Sequence, residues 1–209
     1  MPVITITRTF GSGGSEIAAI VARELAWTLV DNAFVEGVAA RLRTTPAAVE
    51  AIEERSPTLA ERIADAFAFG SPEVMSASLS TPLPPTEDRV LEVTRRLIDD
   101  AIARGPAVIV GRGAQVYLES RHDAVHVLCC APVDVLVTRV MERENLSRDD
   151  AAALVREKNA QRAHYVRRNW NRDWLAPEHY HLTINTAWVG VEHSAHLIVR
   201  LARERLTGA

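Results

Sequence analysis

Val3-Ile4-Thr5-Ile6-Thr7-Arg8-Thr9-Phe10-Gly11-Ser12-Gly13-Gly14-Ser15-Glu16 is the stretch whose reading decides the fold. Its first five residues are a β-branched run with no room for a helix, and they lead directly into a glycine turn. From Glu16 to about Trp27 the apolar residues Ile17, Ile20, Val21 and Leu25 recur at helical spacing, before Thr28-Leu29-Val30 ends at Asp31. The chain therefore opens with strand, glycine turn, helix and strand. Glycines in such a turn let backbone N–H groups converge, and a helix N-terminus adds partial positive charge, so Gly11, Ser12, Gly13, Gly14, Ser15 and Glu16 outline a phosphate cradle. The plainer reading of the same residues is an ordinary glycine turn.

Further along, the alternation continues. A helical stretch runs from about Asn32 to Arg43, Thr45-Pro46 starts another that extends to about Phe69, and residues 70–85 hold four prolines and four serines, the best candidate for a mobile loop. Thr86 caps a long helix through Ala103, stopped by Gly105-Pro106. Buried strands are expected at Ala107 to Val110 and Ala124 to Cys130, and a helix from Val133 to about Glu144. Ser147 with Asp150 forms a capping-box pattern for a long arginine-rich helix to about Asn169, followed by a short strand, His181 to Asn185, and a helix from Val191 to about Leu206. Strands separated by helices imply an α/β fold, a parallel sheet with helices on both faces that binds ligands at the carboxyl ends of its strands.

Composition narrows the partners. Across 209 residues, 24 Lys+Arg against 27 Asp+Glu give a formal net charge of -3, which leaves no whole-surface basic field for duplex nucleic acid. No apolar run approaches the roughly 18 to 20 residues of a membrane span, and the strand-like start has no secretory pattern, so a cytoplasmic location without membrane contact is expected. Cys129 and Cys130 are adjacent on a strand and point to opposite faces, which suits packing rather than a disulfide or a metal. Lys158 is the single lysine, so any lysine-dependent chemistry must use it.

Three constellations carry the chemistry. The first, at Arg8 to Glu16, departs from the standard G-x-x-x-x-G-K-[ST] loop: with Gly13 as the second glycine, Arg8 stands at the first, Gly14 at the lysine and Ser15 at the hydroxyl residue. Arg8 is then the nearest cation. The second, Gly111-Arg112-Gly113, ends a buried strand, where the guanidinium can grip a phosphate through two hydrogen bonds or simply pair with a surface carboxylate. The third is the cation density from Arg139 to Arg172, nine basic residues against five acids. There Lys158 and Arg162 share a helix face, an unfavourable pairing that a polyphosphate would relieve. A solvated helix face, or RNA binding through the interleaved Tyr165, Trp170 and Trp174, are the competing readings. Asp31 can hold Mg2+ or orient a hydroxyl, or cap the next helix, while Ser12, Ser15 and Glu16 could join a Mg2+ shell only through adapted geometry.

These residues resemble the cytidylate kinase-like family, a branch of the P-loop nucleoside monophosphate kinases. Similar are the opening from Ile4 to Ile17, Val110-Gly111-Arg112-Gly113-Ala114, Met141-Glu142-Arg143-Glu144-Asn145-Leu146-Ser147, and Ile184-Asn185-Thr186 with Gly190 beyond. The resemblance implies five parallel strands, a helical lobe inserted over residues 32–85 where the monophosphate binds, and a lid over about 145–174. It implies ATP with Mg2+ as donor, bound through Arg8 and Gly11 to Glu16. Asp31, Arg112 and Asn159 would then hold the acceptor, and Arg162 with Arg167 or Arg168 the transferred phosphoryl. Arg139, Arg143 and Lys158 are second-rank lid candidates, and a homodimer is compatible with it. Family members commonly carry arginine where this chain has Ser15, and cytidylate kinases proper carry aspartate where it has Gly113 and, on their lid helix, where it has Asn159. Two functions are thus expected to compete: a kinase for a CMP- or dCMP-like nucleoside monophosphate, and a nucleotide-binding regulatory module with little or no turnover.

Overall fold

A computed structural model describes residues 1–31 and 87–206 of the chain. The inserted lobe expected at 32–85, its helices, the 70–85 loop and the Thr86 cap lie outside the described residues. Five strands, β1 (Val3–Arg8), β2 (Thr28–Val30), β3 (Ala107–Val110), β4 (Ala124–Cys130) and β5 (Leu182–Asn185), form one parallel sheet in the order β2-β3-β1-β4-β5. Central β1 pairs Ile4 with Val108 on one side and with Val125 on the other. Of the described helices, α1 (Gly14–Leu25) follows β1, α2 (Glu87–Arg104) precedes β3, and α3 (Ala114–Tyr117) follows it. Then come α4 (Val133–Glu144), α5 (Arg148–Trp170), α6 (Thr186–Val189) and α7 (Val191–Leu206).

Strand alternation divides the core. Ile4, Ile6, Val108, Val110, Val125 and Val127 face α1 and α7, which return Ile17, Val21, Ala195 and Ile198. Val3, Ala107 and Ile109 face the other way, against Val90, Val93, Ile98 and Ile102 of α2. Both strand faces are buried, so β3 reads as an unbroken apolar run, while β1 and β4 bury Thr5, Thr7 and His126 among their apolar residues.

Helix boundaries follow backbone signals. Ser147 accepts the Asp150 N–H and starts α5, as the capping box predicts. The first helix begins at Gly14, two residues before the apolar periodicity does, because the left-handed Gly11 and Gly13 complete the turn and leave Gly14 already helical. It stops before Trp27, since Ala26 takes a left-handed conformation and its N–H caps the carbonyls of Ala22 and Arg23. The cysteines pack as expected: Cys129 is buried, Cys130 is partly covered, and burial pushes the Cys129 thiol up to about 12.

On the α2 side, the sheet also carries a buried polar seam. The Thr5 hydroxyl shares a 2.8 Å hydrogen bond with His126 Nδ1, and the His126 ring stacks on His181 at 5.0 Å. His181 lies just outside β5 yet is tied to β4, its N–H donating to the His126 carbonyl and its Nδ1 accepting the His126 N–H. Burial first, and then the neighbouring His181, hold the His126 pKa down at about 4. Between the ordinary value of 6.5 and about 4 the unfolded chain binds a proton that the folded chain refuses, so stability falls as pH falls through that window. The loss should approach about 3 kcal/mol at the acid end. Denaturant melts at pH 7 and pH 4.5 measure it, and His126→Gln should flatten the difference.

Candidate active site at the carboxyl edge of the sheet

The carboxyl ends of β1, β2 and β3 and one face of α5 enclose a cavity of about 200 Å³. Thr7 and Arg8 enter it from β1, Asp31 from just beyond β2, and Arg112 from the turn after β3. Helix α5 contributes Lys158, Gln161, Arg162, Tyr165 and Val166, the one stripe that 3.6-residue spacing can present, and Trp174 closes the far side. Four cations and one carboxylate among the described residues thus line a single small space.

Arg8 is the cation whose path through the backbone is most constrained by glycines. A Cβ at Gly14 would collide with the first carbons of its side chain, and one at Gly111 would overlap its Nη1. The guanidinium therefore lies across the β3 backbone, pointing toward Asp31, whose Oδ1 is 3.9 Å from Nη2. Its Nε is buried without a hydrogen-bond partner. Burial, and secondarily the like charge of Arg112, bring its pKa down to about 10 against the opposing pull of Asp31, so it stays charged at neutral pH.

The turn after β3 is unusual in its backbone. Gly111, Arg112 and Gly113 have φ of 73°, 61° and 65°, three successive left-handed residues, of which only the glycines adopt that conformation freely. Holding Arg112 there costs on the order of 1–2 kcal/mol, a strain the surrounding turn maintains. Gly113 also lies beneath the Trp170 indole, which a Cβ would strike. No aspartate fits here while Trp170 holds its place.

Helix α5 is bonded to the glycine loop. Asn159 Oδ1 accepts the Phe10 N–H at 2.8 Å, and Arg162 Nη1 donates to the Arg8 carbonyl at 2.9 Å. The Phe10 ring lies between two guanidinium groups, 4.9 Å from Arg143 and 5.5 Å from Arg162. Asn159 is thereby placed on the loop backbone rather than among the cavity-lining side chains. Loop geometry is fixed from the other side as well: the Ser12 hydroxyl donates to the Thr9 carbonyl, and the Thr186 hydroxyl donates to the Ser12 carbonyl at 2.7 Å. Arg139 donates to Ser12 O and to both oxygens of Thr186, so it braces the loop.

Other residues predicted from sequence lie elsewhere. Arg167 and Arg168 are exposed in the last turn of α5, five and six residues past Arg162 and so off its face. Ser15 and Glu16 are exposed in the first turn of α1, where the carboxylate suits the helix dipole. Gln161 and Tyr165 were hidden to motif reading, yet Gln161 Oε1 and the Tyr165 hydroxyl are buried at the cavity without partners. Their signal was only the i, i+3, i+4 spacing from Lys158 and Arg162. Burial pushes the Tyr165 pKa up to about 12 in spite of Arg112 and Arg95, leaving a neutral hydroxyl that can donate. For Mg2+, the oxygen donors that fit are the Asp31 carboxylate in the cavity and the exposed Ser15 hydroxyl. The Ser12 hydroxyl donates its proton to the Thr9 carbonyl, which leaves its oxygen lone pairs for a cation.

Comparison with known proteins agrees with this arrangement at the level of fold and family. An uncharacterized protein from Eubacterium ventriosum ATCC 27560 superposes with a TM-score of 0.69 at 18% identity, covering 98% of this chain and 100% of its own. Shikimate kinase from Acinetobacter baumannii, in complex with shikimate, gives 0.52 at 15% identity, over 98% of this chain and 94% of its own. A gluconokinase from Sinorhizobium meliloti 1021 gives 0.51 at 14%, over 97% and 94%. No curated protein matches the chain in sequence. The model of the cytidylate kinase-like family matches residues 3–187, and the chain belongs to that family.

Proposed function

We propose that the protein transfers the terminal phosphoryl group of ATP to a nucleoside monophosphate, of the CMP or dCMP kind. The observation that carries this reading is the cavity itself: it adjoins the glycine loop at the carboxyl edge of the sheet and gathers Arg8, Arg112, Lys158 and Arg162 around Asp31. Phosphoryl transfer needs donor and acceptor aligned and the charge on the moving group neutralised, work done by cations and fixed N–H groups more than by a base. In this reading the backbone from Gly11 to Ser15 holds the donor phosphates, Arg112 grips the acceptor and Arg162 faces the transferred group. Mg2+ bound with ATP would supply further charge neutralisation, with Asp31 and Ser15 as its protein oxygens. Arg162 already bonds the Arg8 carbonyl, so it joins lid to loop where the two substrates would meet. Such chemistry belongs to the cytoplasm, where ATP and reduced thiols occur together.

A second reading, a nucleotide-binding module with little turnover, is favoured by the donor side. Gly14 stands where the standard loop has its lysine, Arg139 is committed to Ser12 and Thr186, and Arg143 stacks on Phe10. That reading expects nucleotide to stabilise the fold without releasing ADP.

An ADP-release assay with Mg-ATP against CMP, dCMP, UMP, AMP and GMP separates the two. We expect turnover restricted to a pyrimidine monophosphate, lowered about 10²- to 10³-fold in Arg162→Ala. Arg112→Ala should raise KM for the acceptor while leaving that for ATP nearly unchanged. ATP-dependent stabilisation with no turnover on any acceptor would establish the module instead.

Lid attachment can be tested without turnover. Asn159→Ala removes the acceptor of the Phe10 N–H, and exchange of that amide with solvent should accelerate by about 5- to 10-fold, in proportion to one lost hydrogen bond. An unchanged rate would show that the lid does not hold the loop.

A further inference from the structure

Arg8 stands at the entrance to the glycine loop, but its guanidinium does not turn toward that loop. The side chain passes Gly14, crosses the backbone of Gly111 where a methyl group would overlap its Nη1, and ends in the cavity beside Asp31 and Arg112. Two glycines on different elements are thus needed to let one arginine through. A guanidinium offers five N–H donors in a fixed fork. Here the cation has one carboxylate at 3.9 Å, too long for a hydrogen bond, and a buried Nε with no acceptor. Burying a charge so poorly matched is unfavourable unless something else completes it.

What would complete it follows from the neighbours. Arg112 enters the same cavity from the left-handed turn after β3, and the two guanidinium groups are close enough for each to feel the other's charge. Tyr165 adds a neutral hydroxyl, buried and without a partner. Two forked cations and one O–H donor converging on a small space match a tetrahedral dianion, with three or four oxygens to receive them. A neutral hydroxyl acceptor would leave the Arg8 guanidinium as poorly matched as before.

We infer that Arg8 and Arg112 form a two-arginine clamp for the phosphate of the acceptor, so that the acceptor is a phosphate monoester, and that Gly14 and Gly111 are glycine to give Arg8 its path. This rests on the reading that the cavity takes the acceptor, and it moves Arg8 from the donor side, where its sequence position suggests it belongs, to the acceptor side. Arg8 is a binding residue in this account. Donor phosphates on the Gly11 to Ser15 backbone do not depend on it.

Calorimetric titration of the full chain and of Arg8→Met with inorganic phosphate, with CMP and with Mg-ATP tests the clamp. Loss of a charged, forked contact should weaken phosphate and CMP by roughly 10- to 100-fold, with Mg-ATP affinity unchanged. Methionine preserves length without charge, so the ligand-free melting temperature should hold or rise, whereas a purely structural arginine would lower it. Should Arg8→Met fail to fold, Arg8→Lys keeps a charge but not the fork, and phosphate should still weaken by about tenfold. Phosphate bound equally by wild type and variant, or by neither, overturns the clamp, as does a matching loss of Mg-ATP affinity. Phosphate binding that requires Arg8 in a protein indifferent to CMP would keep the clamp and remove the nucleotide from the proposed function.

Discussion

Two backbone groups at the carboxyl end of β1 organise the site. The Arg8 carbonyl accepts from Arg162 and the Phe10 N–H donates to Asn159, both side chains projecting from α5, more than a hundred residues later in the chain. A helix that bonds consecutive turns of a loop in this way cannot shift by even one residue without breaking both bonds. Helix α5 has almost no amphipathic stripe of its own and buries only Ala151, Val155 and Val166 fully, so these polar bonds, together with Phe10 between two guanidinium groups, fix its position more than apolar packing does. Everything that lines the cavity from the lid side follows from them. Lys158, Gln161, Arg162 and Tyr165 face the ends of β1 and β3 because Asn159 and Arg162 hold the helix there.

Glycines in this site make room for side chains as much as for a ligand. Gly14 and Gly111 admit Arg8, Gly113 admits Trp170, and Gly11 lies so close to the Leu136 carbonyl of α4 that a Cβ would stand only 2.8 Å away. Three of these four also have positive φ, so a substitution would carry backbone strain on top of the collision. Gly113 illustrates the consequence. Trp170 lies over Gly113, and the indole in turn lies 5.8 Å from Arg95 and meets Tyr165 edge-on. An aromatic and cationic wall has taken the volume that a carboxylate would occupy, so the cavity's recognition chemistry is shifted from accepting hydrogen bonds toward donating them.

The fold was legible because its signals are local or periodic. β4, α4 and the start of α5 fall where apolar runs, helical spacing and the Ser147 cap put them, and the parallel order follows from alternation of strand and helix. The four-residue helices α3 and α6 were not legible, being too short for periodicity to register. Of the site, the glycine loop, Arg112 and Arg162 could be found from motif and position. The direction of the Arg8 side chain could not, because it is set by absent Cβ atoms at Gly14 and, far later in the chain, at Gly111 in the turn after β3. Nor could the role of Thr186, whose hydroxyl bonds a carbonyl 174 positions away. Asn159, expected from the resemblance to hold the acceptor, instead accepts a backbone N–H through its amide oxygen.

The distribution of cations also explains how the chain manages without a lysine in its loop. A standard loop lysine brings one flexible point charge to the phosphates, whereas here the cations beside the loop are arginines on two helices, already oriented by bonds to backbone carbonyls or aromatic rings. Arg139 and Arg143 on α4 hold the loop's shape and Phe10, and Arg162 on α5 reaches the loop from the lid. Positive charge therefore reaches the loop from α4 and α5 rather than from the loop's own residues alone. Of the four cations among the described residues that line the cavity, Arg8 and Arg112 stand on the sheet side and Lys158 and Arg162 on α5, so half of its positive charge depends on where α5 is docked. The bonds that hold α5 against the loop therefore also hold Lys158 and Arg162 at the cavity, where a lower dielectric than bulk water strengthens the field of each cation.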